Sequence, residues 1–228
     1  MLSTRNQIYF NGPAGPVEII RELPDGRVRG VAIVTHPHPL LGGTAEHKVP
    51  YTIAQVCLAH GLVALRPNFR GVGGTAGLHD GGRGEADDIQ AIARQAMADY
   101  DGLPLILAGF SFGAFVQTMV GRRLLEEGGQ PVQMILAGLP YGKIPAGRQY
   151  ETPGVPESAL VIHGERDEVV PLANVFEWLR PQEIPVVVVP GAGHFFTGKL
   201  QLLRNVLDDH LRAWFPPGYG ECRVGGRT

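Results

Sequence analysis

Apolar residues along the chain follow two rhythms. Short, nearly unbroken runs at Val28–Thr35, Leu62–Leu65, Leu103–Ala108, Met134–Leu139, Ala159–His163 and Ile184–Val189 have the length and β-branched content of buried strands. Between them, apolar positions recur three and four residues apart. One such segment opens at Thr44 or Glu46 and runs through Val49, Ile53, Val56, Cys57 and Leu58 to a stop at Gly61. Others cover about Glu85–Tyr100, Phe112–Glu127, Leu172–Leu179 and Leu200–Trp214, the last with Leu202, Leu203, Val206, Leu207 and Leu211 on one face. Each predicts a helix with one buried side. Ahead of them, Gln7–Phe10 and Val17–Glu22 flank Asn11-Gly12-Pro13 and predict an antiparallel β start. Strands that are apolar on both sides need cover on both faces. The pattern therefore predicts an α/β fold: a doubly wound, mostly parallel sheet with helices on both faces. Residues Pro140–Glu157 carry four prolines and no helical period, so a loop is expected there.

Composition narrows the picture. At 228 residues the chain fits a single domain, with a core over about 7–215 and a loosely ordered tail at 216–228. Net charge is −2 with an isoelectric point near 6.4, and no Lys/Arg run could track a phosphate backbone, so nucleic acid is not expected as a partner. Met1–Gln7 lacks the apolar core of a signal peptide, and no apolar stretch reaches the ~18 residues that cross a bilayer. A soluble cytoplasmic protein without a membrane partner is expected. Cys57 and Cys222 match neither a redox pair nor a zinc pattern and are expected as free thiols.

Candidate chemistry centres on Gly109-Phe110-Ser111-Phe112-Gly113, where an apolar strand meets a helix. Small residues two positions away on either side tolerate a very tight turn with Ser111 at its apex. The following helix would aim its amides at a charge developing beside the serine oxygen. Ser111 reads as a nucleophile; the alternative is an ordinary helix N-cap. In a doubly wound sheet, partners should lie just after other strands. Asp167 and His194 do: His194 would take and return the serine proton, and Asp167 would orient the imidazole. Asp167 could instead cap the helix near Pro171, with Glu165 or Glu168 as the acid. His194 could be a surface residue, although Gly191 and Gly193 allow an unusual loop path. His163 reads as a buried, hydrogen-bonded histidine.

His36-Pro37-His38-Pro39 invites a metal reading with His47 or His79, but no third ligand has a convincing spacing, and no metal is expected. Because prolines lack an N–H, this loop offers donors at His38 and Leu40. Either one, with Phe112, would make a two-donor oxyanion hole. Gly71-Val72-Gly73-Gly74-Thr75-Ala76 imitates a dinucleotide fingerprint. Gly77, Gly81, Gly82 and Gly84 follow it where a phosphate-binding helix should open. This loop is read as an active-site rim, with Asp87 or Asp88 near the start of the next helix.

With the His36–Gly43 loop, Asn68-Phe69-Arg70-Gly71-Val72-Gly73, the Ser111 turn and the Asp167 and His194 loops in order, the chain resembles the α/β-hydrolase superfamily. The first two segments are most similar to its small, lidless bacterial serine esterases, and the match covers roughly residues 7–215. The resemblance implies nucleophile Ser111, acid Asp167, base His194, an acyl-enzyme, no cofactor and no helical cap over the site. Its expected wall is Leu40, Leu41, Phe69, Phe110, Phe112, Tyr141 and Phe195, with Leu41, Phe110, Tyr141 and Phe195 as substrate-binding residues. A carboxylesterase for small short-acyl esters is the leading expectation. A thioesterase or amidase would use the same residues, and a non-catalytic binding module could keep the fold. A dehalogenase would need a carboxylate in place of Ser111.

Overall fold

The computed structural model describes residues 5–129, 132–145 and 147–215; the expected loose tail and Cys222 lie outside the described residues. Strands β1 (Arg5–Gly12) and β2 (Gly15–Glu22) form the antiparallel start. There follow β3 (Gly30–Thr35), α1 (Lys48–Ala59), β4 (Leu62–Pro67), α2 (Arg83–Asp99), β5 (Leu105–Phe110), α3 (Phe112–Glu126) and β6 (Gln133–Ala137). After two short strands, β7 (Gly142–Lys143) and β8 (Gln149–Tyr150), come β9 (Leu160–Gly164), α4 (Leu172–Leu179), β10 (Val186–Val189) and α5 (Leu200–Trp214).

Eight strands make one sheet in the order β1-β2-β4-β3-β5-β6-β9-β10. The β1–β2 and β2–β4 pairs are antiparallel, and every pair from β4 to β10 is parallel. Strand alternation divides the core in two. Val31 and Ile33 of β3 join α2, α3 and α4 in one apolar cluster. Ala32 and Val34 face the opposite way and join α1 and α5 in the other. Alanines at 32, 64, 108 and 137 keep that second face shallow, which leaves room for α1 and its Val49, Ile53, Val56 and Cys57.

At the antiparallel end, Arg66 and Glu22 are buried together on neighbouring strands. Arg66 Nε and Nη2 donate to one Glu22 oxygen at 3.1 and 2.7 Å, and Nη1 donates to the Ala45 carbonyl at 2.5 Å. The pair couples β2 and β4 to the segment before α1.

The expected loop at Pro140–Glu157 is not wholly irregular. Gly142–Lys143 pairs with Gln149–Tyr150 in a separate two-stranded ribbon, which periodicity could not reveal because each strand is only two residues long. No helix occurs in this connection among the described residues. The chain passes from β3 to β4 on one side and then crosses to β5 on the other. The loops after β3 and β5 therefore diverge at the carboxyl edge of the sheet, where doubly wound folds open a crevice.

Candidate active site

Ser111 sits directly between β5 and α3 with φ 56° and ψ −124°, a conformation a residue with a side chain rarely adopts. Such strain costs on the order of 1–3 kcal/mol and persists only where the surroundings impose it. The surroundings here are explicit. The Ser111 amide donates to the Ala137 carbonyl at the end of β6, at 2.9 Å. A Cβ at Gly113 would lie 2.5 Å from the His36 carbonyl and 2.6 Å from that of Thr35; one at Gly109 would lie 2.6 Å from the Ala114 nitrogen. Both glycines therefore permit α3 to start against the ends of β3 and β5. Buried Gln117 holds the helix there by donating to the carbonyls of Ile33 and Ala108. Ser111 does occupy the N-cap position, but its side chain makes no capping bond.

The hydroxyl meets a histidine instead. His194 Nε2 lies 2.9 Å from Ser111 Oγ, and His194 Nδ1 lies 2.7 Å from Asp167 Oδ2. The structure thus brings together three residues that follow β5, β9 and β10. Two backbone bonds, from Glu165 N–H to the Val189 carbonyl and from Arg166 N–H to the Ala192 carbonyl, tie the last two loops together. Gly138, at φ 57°, keeps the space beside the imidazole open: a Cβ there would lie 3.2 Å from His194 Cε1.

Asp167 has the capping role as well. Its Oδ1 accepts from the amides of Val169 and Val170 at 3.0 and 2.8 Å, leaving Oδ2 for His194. His163 Nε2 approaches the same Oδ2 at 3.3 Å and donates to the Val170 carbonyl at 2.9 Å; burial lowers its pKa. Glu165 accepts from the Gly191 amide and Glu168 is exposed, so neither occupies the position beside His194.

The amides of Phe112, His38 and Leu40 donate to no protein acceptor among the described residues. His38 caps a 3-10 turn, Pro39–Leu41, that projects from the end of β3. The other histidines of this region are held by protein groups. His36 is fully buried, accepts from the Phe69 amide through Nε2 and donates from Nδ1 to the Pro37 carbonyl; burial lowers its pKa to about 3. His47 caps α1 by accepting from Val49 N–H, and His79 pairs with buried Glu85 at 2.6 Å. Among the described residues no three His, Cys, Asp or Glu side chains are arranged to hold a metal ion.

A pocket of about 80 Å³ opens over Ser111 and His194. Leu41 and Phe195, expected from sequence, form part of its wall. Phe110 and Tyr141 do not. Phe110 is wholly buried behind His194, with ring centroids 4.9 Å apart, because the last residue of β5 turns toward the α1 and α5 side. Tyr141 is half-buried against the opposite core cluster. Leu40, Phe69 and Phe112 are likewise absent from the lining. The glycine-rich stretch after β4 is not a rim either: its turn reaches the neighbourhood only through His79, whose ring lies 4.7 Å from that of His38. Asp88 there is buried against Arg70, and Asp87 pairs with Arg123. The unforeseen wall comes from the β6–β9 connection and the loop after β9: Ile144, Arg148, Tyr150, Val169 and Val170. A run such as 147–150 carries no periodicity to betray that it folds back over a distant serine.

Over 95% of its length the chain superposes on XC6422 from Xanthomonas campestris, described as an α/β serine hydrolase without a lid. That match has 33% identity, 97% coverage of the other chain and a TM-score of 0.84. The chain belongs to the α/β-hydrolase superfamily. An α/β serine hydrolase homologue from Coxiella burnetii matches at 35% identity over 92% of this chain and 99% of its own, with a TM-score of 0.78. The uncharacterized protein RP471 of Rickettsia prowazekii is 29% identical over 216 residues, 90% of this chain and 88% of the relative. No family model matches. As an α/β hydrolase, the chain carries its Ser111, Asp167 and His194 loops in the order and at the strand ends that this fold uses for chemistry.

Proposed function

We propose that the protein is a serine hydrolase that cleaves small, short-acyl carboxylic esters through an acyl-enzyme. What supports the reading is one continuous hydrogen-bonded chain, Ser111 Oγ to His194 Nε2 and His194 Nδ1 to Asp167 Oδ2. Asp167 accepts a hydrogen bond from His194 Nδ1–H, which leaves Nε2 as the acceptor for the serine hydroxyl. Ser111 Oγ attacks the ester carbonyl while its proton passes to His194. The carbonyl oxygen becomes an oxyanion facing the unpaired amides of Phe112 and of His38 or Leu40; one such donor is worth about 3 kcal/mol of transition-state stabilisation. The intermediate collapses, the C–O bond to the alcohol breaks, and His194 returns the proton to the leaving oxygen. Water then repeats the sequence on the acyl-serine, with His194 as base, releasing the acid.

The pocket of about 80 Å³ suits an acyl group of a few carbons. Steady-state hydrolysis of p-nitrophenyl esters from acetate to decanoate, by wild type and Ser111→Ala, tests the reading. The expected result is a preference for the short members and a loss of at least 10³-fold in the variant. Full rate in Ser111→Ala would remove the serine from the reaction. Acyl-thioesters and anilides in the same assay separate esterase from thioesterase and amidase activity.

A further inference from the structure

Apart from His47 and His194, the wall around Ser111 is apolar except at one end. Its lining contains no Asp or Glu, yet it contains Arg148. Among the described residues Arg148 forms no ion pair, and its Nε is buried without a hydrogen-bond partner. A guanidinium is always charged and presents its donors in a fixed fork, so burying part of it without a partner is costly. His38, which lines the same pocket, likewise has a buried Nδ1 without a partner. Burial lowers the pKa of His38 to about 4, with the charges of His79 and Arg148 adding to the effect. Its ring is neutral near pH 7 and donates from Nδ1 in one tautomer. Tyr150 completes this end; burial raises its pKa, and Arg148 works against that rise through its charge and through a hydrogen bond to the phenol. Arg148, His38 and Tyr150 thus line one small pocket that holds no carboxylate of the protein's own, and the first two each keep a buried nitrogen without a hydrogen-bond partner.

We propose that this end of the pocket is an anion-binding subsite, in which Arg148, assisted by His38, holds a carboxylate that the substrate carries a few bonds from the scissile ester. The proposal rests on the hydrolase reading of Ser111 and narrows its substrate class to acidic esters. A carboxylate would give this guanidinium the ion pair that no protein carboxylate supplies, with charge-assisted hydrogen bonds that are stronger than neutral ones. The β7–β8 ribbon has a role on this reading. Tyr150 is its final residue, Arg148 immediately precedes β8, and the Ile144 amide donates to the Arg148 carbonyl at 3.0 Å, so the backbone of the subsite is fixed.

The acidic group can belong to the acyl or to the alcohol portion, and two substrate pairs distinguish them. The acyl pair is p-nitrophenyl hydrogen glutarate and p-nitrophenyl valerate. The alcohol pair is 4-acetoxybenzoate and 4-acetoxytoluene. For each pair the readout is the ratio of kcat/KM, anionic over neutral, in wild type, Arg148→Gln and Arg148→Lys. The neutral ester reports whatever a substitution does to the catalytic centre, and the ratio cancels it. The ratio should fall roughly 10- to 100-fold in Arg148→Gln for one pair, and Arg148→Lys should restore part of it. A ratio unchanged within threefold for both pairs would overturn the subsite. Neutral esters cleaved by wild type without any Arg148-dependent discrimination would leave the esterase reading intact. Failure of wild type to cleave any of the four, or to react with a fluorophosphonate, would sink both.

Discussion

Asp167 divides its two oxygens between two tasks, one on the amides of Val169 and Val170 and one on His194. A substitution that keeps its shape separates them. Asp167→Asn retains an acceptor for the two amides, but its amide group can donate toward Nδ1 and favour the wrong imidazole tautomer. The expected outcome is a fall in kcat of about 10³- to 10⁴-fold with little change in melting temperature. Glu165→Gln and Glu168→Gln, near in sequence but turned elsewhere, should stay within a fewfold of wild type. If Asp167→Asn stayed within tenfold while either glutamate variant collapsed, the acid would be misassigned. At this scale the sequence was informative about position: Ser111, Asp167 and His194 each follow a strand, and the structure brings them within hydrogen-bond reach of one another. It was silent about Arg148 and Tyr150, because an arginine in a proline-rich loop has the same appearance whether it points to water or into a pocket. It also misled at Phe110: a neighbour of the serine in the chain is buried behind His194 and takes no part in the pocket wall.

The turn between β5 and α3 depends on the absence of two side chains. At Gly113 an added methyl would meet backbone carbonyls of Thr35 and His36 at 2.5–2.6 Å, and backbone cannot swing aside. Gly113→Ala should destabilise the fold by about 1–3 kcal/mol and lower hydrolysis further, since α3 must shift and carry the Ser111 and Phe112 backbone with it. Gly121, one element interior further on, is the control. Its Cβ would meet the flexible tip of Met134 at 3.2 Å and Leu107 Cδ1 at an ordinary 3.6 Å, and alanine is the better helix former by roughly 1 kcal/mol. Gly121→Ala should therefore leave the urea midpoint nearly unchanged or raise it. Equal losses in the two variants would mean that the close approach at the turn is not what requires glycine. The glycine spacing made this element legible in the sequence, as did the helical periods of Leu172–Leu179 and Leu200–Trp214, whose bounds the structure reproduces, although Leu202, expected on the buried face, is exposed. The β7–β8 ribbon escaped notice for the opposite reason: two residues per strand are too few to establish a period of two.

Across the whole molecule, several histidines are held neutral by burial, and this fixes how stability responds to acid. Burial lowers the pKa of His36 to about 3 and that of His163 as well, and more partial burial lowers His38, His47 and His210. Below about pH 6.5 each takes up a proton in the unfolded chain while the folded form resists it. Unfolding then binds protons, so stability is full above that range and declines as pH falls through it. For His36 alone the slope approaches about 1.4 kcal/mol per pH unit, continuing toward its folded value. Glu85 acts in the opposite sense: burial raises its pKa, so between its unfolded and folded values the folded protein keeps a proton that the unfolded chain has released. One such carboxyl stands against five histidines. The urea midpoint should fall steadily from pH 7 to pH 5. His36→Gln should be less stable at pH 7, because the bonds to Phe69 and Pro37 are altered, yet its midpoint should vary less steeply with pH. A flat wild-type profile, or an unchanged slope in His36→Gln, would show that the imidazole takes up its proton inside the fold and that burial does not exclude it.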